Sequence, residues 1–191
     1  MTNRKLVISC HADTGFDTHS LERFPDGRIY GELDNFIGVY TVMKAYFSGR
    51  LTQPYIQLEL TYGEEDDFEG AYDVLKNLHK KDVVLVVDVT GTSTVKDFVF
   101  EKCKSKNWQK YLGNILYDLS YDLYDYCPDP IADEDETDVY REKCQDVCFL
   151  GIPCFGGDYN EGKIYSKDRY IEQISECICR IVENFEAFPS D

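Results

Sequence analysis

Positive charge is scarce in this chain of 191 residues. Lysine and arginine together number 20 against 36 aspartates and glutamates, which leaves a formal charge of −16 at pH 7. A nucleic-acid partner needs a basic face for its phosphates, and an anionic membrane surface selects basic residues for the same reason. The composition therefore predicts that neither a nucleic acid nor a membrane is a partner.

Long hydrophobic runs are also missing. No stretch reaches the roughly 18 apolar residues of a membrane span. The apolar run near the start, over residues 6–10, is shorter than the roughly 7–15 residues of a signal peptide. We therefore expect a cytoplasmic protein whose eight cysteines are reduced thiols. The 43% apolar share excludes disorder of the whole chain and suffices for one domain over residues 1–191.

Histidine is rare as well, with three in the chain. The closest cysteine pairs are Cys144 with Cys148 and Cys177 with Cys179, and neither has the spacing of a zinc ribbon. We therefore do not expect a structural zinc site built on cysteines.

What the chain does contain is an alternation of short β-branched runs with stretches of helical periodicity. This alternation favours an α/β fold, a three-layer αβα sandwich with a mostly parallel or mixed central sheet. The expected strands cover residues 5–10, 55–62, 83–87, 99–100 and 147–152. The expected helices cover residues 36–47, 68–78, 108–124 and 169–185, with loops over residues 14–30 and 127–138.

Residues that bind metals follow three of the expected strands. His11 and Asp13 follow the first strand. Glu64 and Glu65 follow the second, and Asp88 follows the third. Because ligands gather at the carboxyl ends of strands in open α/β sheets, we expect these side chains to be neighbours in space.

Asp34 is a further candidate, and these side chains also have purely structural interpretations. Asp34 precedes the first crossover helix and could simply cap it. Glu64 and Glu65 could stabilise the positive end of the next helix. Asp88 could serve its turn, and His11 could be a hydrogen-bonded histidine at a strand end. Their joint placement at one sheet edge favours a functional site.

The residue types suit metal-assisted hydrolysis. An aspartate two residues after a histidine can orient the imidazole, as metal-bound histidines require. A shared aspartate can bridge two ions roughly 3.5–4 Å apart. Of two adjacent glutamates, one can bind metal while the other acts as a general base.

The order of these motifs resembles the zinc exopeptidase superfamily of co-catalytic aminopeptidases and carboxypeptidases. The resemblance implies a zinc-peptidase-like core without a lid domain. The motifs that carry it are His11-Ala-Asp13, Gly31-Glu-Leu-Asp34-Asn35-Phe-Ile-Gly38, Glu64-Glu65 ahead of Gly70-Ala71, Val87-Asp88 and Gly151-Ile-Pro153.

By this resemblance the chain carries a metal centre of one or two ions. His11 and Asp88 would bind one ion and Glu65 the second, with Asp34 bridging them. The implied metal is zinc. Manganese and cobalt are alternatives, because a site of histidine and carboxylates accepts all three.

The implied activity is hydrolysis of peptide or amide bonds. Glu64 would act as the general base that takes a proton from a metal-bound water, and Asp13 would orient His11. The substrates would be small peptides or acyl-amino acids. The acidic run over residues 133–136 could be a solvated loop or a rim that attracts the amino group of a substrate.

The chain departs from the family pattern at the last ligand. The family has a histidine shortly after the strand that ends in Gly-Ile-Pro, and Tyr165 stands there in this chain. Tyr165 or Asp158 could replace that ligand. The alternative interpretation is a catalytically degenerate metal-binding or peptide-binding member of the same fold. A purely structural α/β domain without metal is a third interpretation.

Overall fold

The computed structural model describes residues 4–132 and 134–189. Its strands are β1 (Leu6–His11), β2 (Leu21–Arg23), β3 (Arg28–Gly31), β4 (Ile56–Thr61), β5 (Val83–Thr90), β6 (Phe98–Glu101), β7 (Tyr121–Leu123), β8 (Asp146–Pro153) and β9 (Ile164–Lys167). Its helices are α1 (Phe36–Phe47), α2 (Glu69–Lys76), α3 (Lys106–Ile115), α4 (Glu136–Arg141) and α5 (Asp168–Glu183), followed by a 3₁₀ turn over Phe185–Ala187. No helix among the described residues is long and apolar enough to span a bilayer.

The central sheet has six strands in the order β4-β1-β5-β8-β6-β7. Neighbours from β4 to β8 are parallel, whereas β6 runs antiparallel to β8 and parallel to β7. Helices cover both faces. This mostly parallel sheet between helix layers confirms the predicted α/β sandwich.

Alternation along the buried strands separates the two faces of the sheet. In β5, Val83 and Leu85 pack with α1, α3 and α5, whereas Val84 and Val86 pack with α2 and α4. Both sets are buried, because a parallel sheet is covered on both faces and its strands are apolar throughout. The carboxyl ends of β1, β4, β5 and β8 therefore share one edge of the sheet.

The prediction of one helix over residues 108–124 is wrong in its second half. Helix α3 begins at the Ser105 cap, whose side chain accepts a hydrogen bond from the Trp108 N–H, and ends at Ile115. Residues Tyr121–Leu123 instead form β7, with Tyr121 opposite Phe98 of β6. Pairing with a strand distant in the sequence outweighs the local helical periodicity there.

The two expected loops also contain regular structure. The segment over residues 14–30 holds β2 and most of β3. These strands form a separate antiparallel sheet with β9, in which β3 lies between β2 and β9. The segment over residues 127–138 ends in the first turn of α4. That turn is closed by a capping box, in which the Asp135 and Asp138 side chains each accept from the other's backbone N–H.

Gly70 sets how closely α2 approaches β4, because a Cβ atom there would lie 2.4 Å from the Tyr62 backbone nitrogen. We expect Gly70→Ala to lower the free energy of unfolding by about 1–3 kcal/mol, as overpacking does. Gly113 of α3 is the matched control, since a Cβ atom at this residue would have nothing within 4 Å. Gly113→Ala should raise stability by up to about 1 kcal/mol. Urea unfolding of both variants tests this, and equal changes would contradict it.

Candidate metal centre

The carboxyl edge of the central sheet brings together all six residues singled out in the sequence. His11 ends β1, and Asp88 lies near the end of the adjacent β5. Glu64 and Glu65 follow β4 on the other side of β1. His11, Asp34 and Asp88 are buried, with exposed fractions of 1%, 5% and 7%.

The Nε2 atom of His11 is the centre of the group. It lies 3.2 Å from Asp34 Oδ1 and 3.2 Å from Asp88 Oδ2. The Glu64 carboxylate is farther away, with its Oε2 4.0 Å from the same nitrogen. On the other side of the ring, Nδ1 lies 3.5 Å from Asp13 Oδ1. Asp13 is therefore placed to orient the imidazole, as the sequence predicts for it.

Asp34 is held beside β5 by its neighbour. The Asn35 side-chain amide donates to the Val87 carbonyl oxygen at 3.0 Å, and the peptide bond between Asp34 and Asn35 is cis. Gly38 leaves room for this side chain, because a Cβ at Gly38 would lie 1.9 Å from Asn35 Oδ1. The interpretation of Asp34 as a helix cap is wrong, since Asn35 is the N-cap of α1 and makes no side-chain capping bond.

Glu65 is held on the far side of the group by the loop after β1. Its carboxylate faces Gly15, and its own N–H donates to Asp13 Oδ2 at 3.4 Å. A Cβ at Gly15 would lie 3.1 Å from Glu65 Oε2. The short segment from His11 to Gly15 therefore positions both the orienting aspartate and this glutamate.

The charges of the group do not balance within the protein. Burial disfavours the imidazolium, but Asp88, Asp13 and Asp34 outweigh it and raise the pKa of His11. Burial and the neighbouring carboxylates raise the pKa of Glu64 to about 9. Burial likewise raises the pKa of Asp88 to about 7, against the effect of His11. The carboxylates at this edge thus call for more positive charge than one imidazolium supplies.

A divalent metal ion fits this donor set. Ligand atoms of His11, Asp34 and Asp88 lie within 4.8 Å of one another, and so do those of His11, Glu64 and Glu65. Two ligands of a tetrahedral zinc ion, each about 2.0–2.1 Å from the metal, are about 3.3–3.4 Å apart. The two 3.2 Å contacts of His11 Nε2 match that separation. One imidazole with carboxylates is also a donor set that zinc and manganese accept.

The group opens into a cavity of 340 Å³ whose charged lining is acidic among the described residues. We refer to this cavity as the metal cavity. The residues of its far wall were not predicted from the sequence. Glu101 and Asp129 are both buried there, and the Thr90 hydroxyl lies 2.7 Å from the first and 3.1 Å from the second. Tyr159 donates to Asp129 at 2.9 Å. One signal in the sequence could have indicated this wall. Glu101 directly follows the apolar run of β6, and a charged residue is seldom fully buried unless it is paired.

The proposed substitutes for the missing histidine lie elsewhere. Tyr165 is in β9, where its ring packs against Tyr30 and Phe155 with centroids 4.5 and 5.8 Å away. Asp158 accepts from the Asn160 N–H in its own turn. Neither lines the metal cavity. The structure therefore gives no support for either as a metal ligand.

The other two histidines lie outside the metal cavity, whereas part of the acidic run over residues 133–136 lines it. His19 and His79 are exposed, and neither lines the metal cavity. Of the acidic run, Glu134 and Asp135 line the cavity, whereas Asp133 lies outside the described residues. The cavity therefore has acidic residues at its rim and no imidazole among its described lining residues. His11 is next to the cavity through its contacts with Asp34 and Asp88, which do line it.

A buried carboxyl group lies beneath the centre. The hydroxyl of Ser9 donates to Glu136 Oε2 at 2.7 Å and lies 2.8 Å from the Tyr140 hydroxyl. Glu136 is 1% exposed. Burial raises the pKa of Glu136, and the bond from Ser9 only partly opposes it.

This shift predicts a pH-dependent stability. Because the folded protein holds the Glu136 proton more tightly than the unfolded chain, the ionised carboxylate destabilises the fold above the unfolded pKa of about 4.3. We expect Glu136→Gln to be more stable than the native chain at pH 7.5, on the order of 1 kcal/mol, with the difference vanishing near pH 4. Urea unfolding across this range measures it, with exposed Glu161→Gln as the control. Parallel pH profiles for the native chain and Glu136→Gln would contradict the prediction.

No protein-family model matches the chain, and no curated protein sequence matches it either. Solved structures do. An aminopeptidase from the archaeon Desulfurococcus kamchatkensis superposes with a TM-score of 0.72 at 16% identity, over 92% of this chain and 55% of that one. A TET aminopeptidase from a marine-sediment archaeon of the Thaumarchaeota gives 0.71 at 13%, over 90% and 55%.

An M18-family aminopeptidase from Thermotoga maritima gives a TM-score of 0.66 at 15% identity, over 86% of this chain and 48% of that one. The chain thus spans about half the length of the structures it matches. At these identities the likeness shows the fold alone. This chain has the peptidase-like α/β fold of these aminopeptidases.

Proposed function

We propose that the chain is a metal-dependent hydrolase of peptide or amide bonds, of the exopeptidase type. The observation that carries this proposal is the placement of Asp34 and Asp88 each 3.2 Å from His11 Nε2, with Glu64 at 4.0 Å. Three protein ligands with an open fourth position are typical of a catalytic zinc site. The aminopeptidase fold supports the same conclusion, although a fold by itself does not establish an activity.

His11, Asp34 and Asp88 would hold the first ion. A second ion would be held by Asp34, as the bridging ligand, and by Glu65. Zinc is the proposed metal, with manganese and cobalt as alternatives for this mixed donor set. Asp13 acts through His11, by fixing the ring so that Nε2 faces Asp34 and Asp88.

A bound divalent ion supplies Lewis acidity, which polarises a carbonyl group and makes water easier to deprotonate. Glu64 accepts that proton. Of the three described carboxylates within 4.0 Å of His11 Nε2, Glu64 is the most distant, and it borders the cavity. The same carboxyl group then donates the proton to the leaving amine. The acidic lining attracts a substrate through its protonated amino group and repels a carboxylate.

The second candidate function is a catalytically degenerate metal-binding or peptide-binding module. His11 is the single histidine in the possible ligand groups among the described residues, and this favours the module, because the second ion would have carboxylate ligands only. Such a module would bind at most one ion tightly and turn over no substrate.

One experiment separates these functions. The protein is purified without chelator, incubated with zinc, manganese or cobalt, and its metal content is measured by elemental analysis. The same samples are assayed against aminoacyl amides, small peptides and acyl-amino acids. Bound metal with metal-dependent turnover supports the hydrolase. Bound metal without turnover supports the binding module, and the absence of bound metal under every condition overturns both.

A further inference from the structure

A second cavity lies at the same edge of the sheet, beyond the ends of β5 and β8. Its volume is 430 Å³. We refer to it as the glycine pocket, because the loops after both strands contribute glycines to its wall. Among the described residues that line it are Gly91, Phe155, Gly156, Gly157, Lys167 and Tyr170.

The glycine pocket has the opposite charge to the metal cavity. Its described lining contains no carboxylate, and its charged side chain is Lys167. The Lys167 ammonium lies 5.6 Å from the ring centroid of Phe155 and 5.2 Å from that of Tyr170. Among the described residues, no carboxylate pairs with it. Lys167 is exposed, so its ammonium lies at the open side of the pocket. In a chain of charge −16, a lysine without a carboxylate partner at a cavity favours an anion there.

Two backbone amides that line the same pocket as this cation have no acceptor among the described residues. The backbone N–H groups of Gly156 and Gly157 donate to no described residue. Gly156 has a φ of 94°, a left-handed conformation that suits glycine. Thr92 also lines the pocket and is 4% exposed, but its hydroxyl interacts with the Glu101 carboxylate and is not counted among the free donors. Two free amides and an ammonium together match the needs of a carboxylate.

The two cavities share a wall. Gly91 of the glycine pocket donates its N–H to Asp129 Oδ2 of the metal cavity at 2.7 Å. Gly91 follows Asp88 by three residues, which corresponds to about 10 Å along an extended strand. An extended peptide advances about 3.3–3.6 Å per residue. A peptide that reaches from the metal centre to the glycine pocket therefore spans two or three residues.

We infer that the glycine pocket binds the C-terminal carboxylate of a short peptide whose scissile bond lies at the metal centre. This inference rests on the proposed function and adds a substrate class to it, namely peptides with two or three residues after the scissile bond. Acyl-amino acids have one such residue and are too short to reach. The acidic metal cavity contributes to the same selection, since it repels a carboxylate that the neighbouring pocket accepts.

The test measures binding and needs no turnover. Tetraalanine and its C-terminal amide are titrated by calorimetry into the zinc-loaded Glu64→Gln variant. We expect the free acid to bind at least about tenfold more tightly than the amide, as the loss of a charge-assisted contact implies. In the Lys167→Met background this ratio should fall to within about twofold. Lys163→Met is the matched control, because Lys163 is exposed and lies 3.9 Å from Glu32, outside the pocket, and it should keep the full ratio.

Two outcomes overturn the inference. One is equal affinity for the acid and the amide, and the other is a ratio that Lys167→Met leaves unchanged. A tetrapeptide amide with a glutamate as its last residue tests the other source of a carboxylate. If it binds as tightly as the free acid, the pocket recognises a side chain and the C-terminal assignment fails. A failure of the proposed function has a different signature, since the native chain would then hydrolyse none of these peptides.

Discussion

Replacing Glu64 with glutamine is expected to lower kcat by about 10²–10⁴-fold, the usual contribution of a general base. Bound metal should be unchanged. The reason is geometric, because Glu64 lies 4.0 Å from His11 Nε2, outside the 3.2 Å contacts that Asp34 and Asp88 make with this atom. Glutamine fills the same volume but cannot accept the proton. Steady-state kinetics on any peptide that the native chain cleaves, with elemental analysis of the same preparations, provides the measurement.

Glu69→Gln is the control for this variant, since Glu69 is an exposed glutamate outside the cavity lining. It should keep the native kcat. A Glu64→Gln variant that retains full activity would show that the base is another group. A variant that loses its metal would show that Glu64 is a ligand.

Asp34→Ala is expected to abolish metal binding and the stability that the metal confers. A ligand at a hundredfold excess over its Kd stabilises a protein by about 2.7 kcal/mol. For a chain of this size that corresponds to a rise in Tm of about 5–10 °C. The native chain should show this rise on addition of zinc, whereas Asp34→Ala should show none. Thermal unfolding with and without zinc measures both.

Comparing Asp34→Ala with the native chain in the absence of metal separates the loss of metal binding from a direct effect of the substitution on stability. Asp34 lies among Asp88, Glu64 and Glu65, whose mutual repulsion destabilises the metal-free protein. Asp34→Ala relieves this repulsion but also removes the 3.2 Å contact with His11 Nε2, so the metal-free stability of the variant is measured as the baseline for its zinc response. Exposed Asp125→Ala is the control and should keep the full response to zinc. A zinc response that survives Asp34→Ala would contradict Asp34 as a ligand.

Local patterns in the sequence were sufficient to predict the central layers. The β-branched runs at β1, β5 and β8 are apolar on both faces, which is typical of strands buried between two helix layers. The polar residues directly after them therefore had to lie at the carboxyl edge. This is why the sequence alone places His11 and Asp88 together. Their roles as metal ligands remain predictions.

Partners distant in the sequence decided the features that were missed. Residues Tyr121–Leu123 have helical periodicity, but pairing with β6 makes them a strand. The three exposed residues of β2 have no core pattern and form a strand because β3 provides an edge. Backbone hydrogen bonds between separate segments leave no periodic trace in either segment.

The sequence by itself determined which residues meet at the sheet edge, because apolar spacing marks each buried strand and the point where it ends. Only the tertiary structure decided what surrounds them. Glu101 and Asp129 come from segments with no metal-ligand pattern and close the far wall of the metal cavity. Lys167 and Gly156 come together at the glycine pocket only because β9 folds back along the segment after β8. A cavity is a property of the space between segments, and its shape and charge follow from long-range packing.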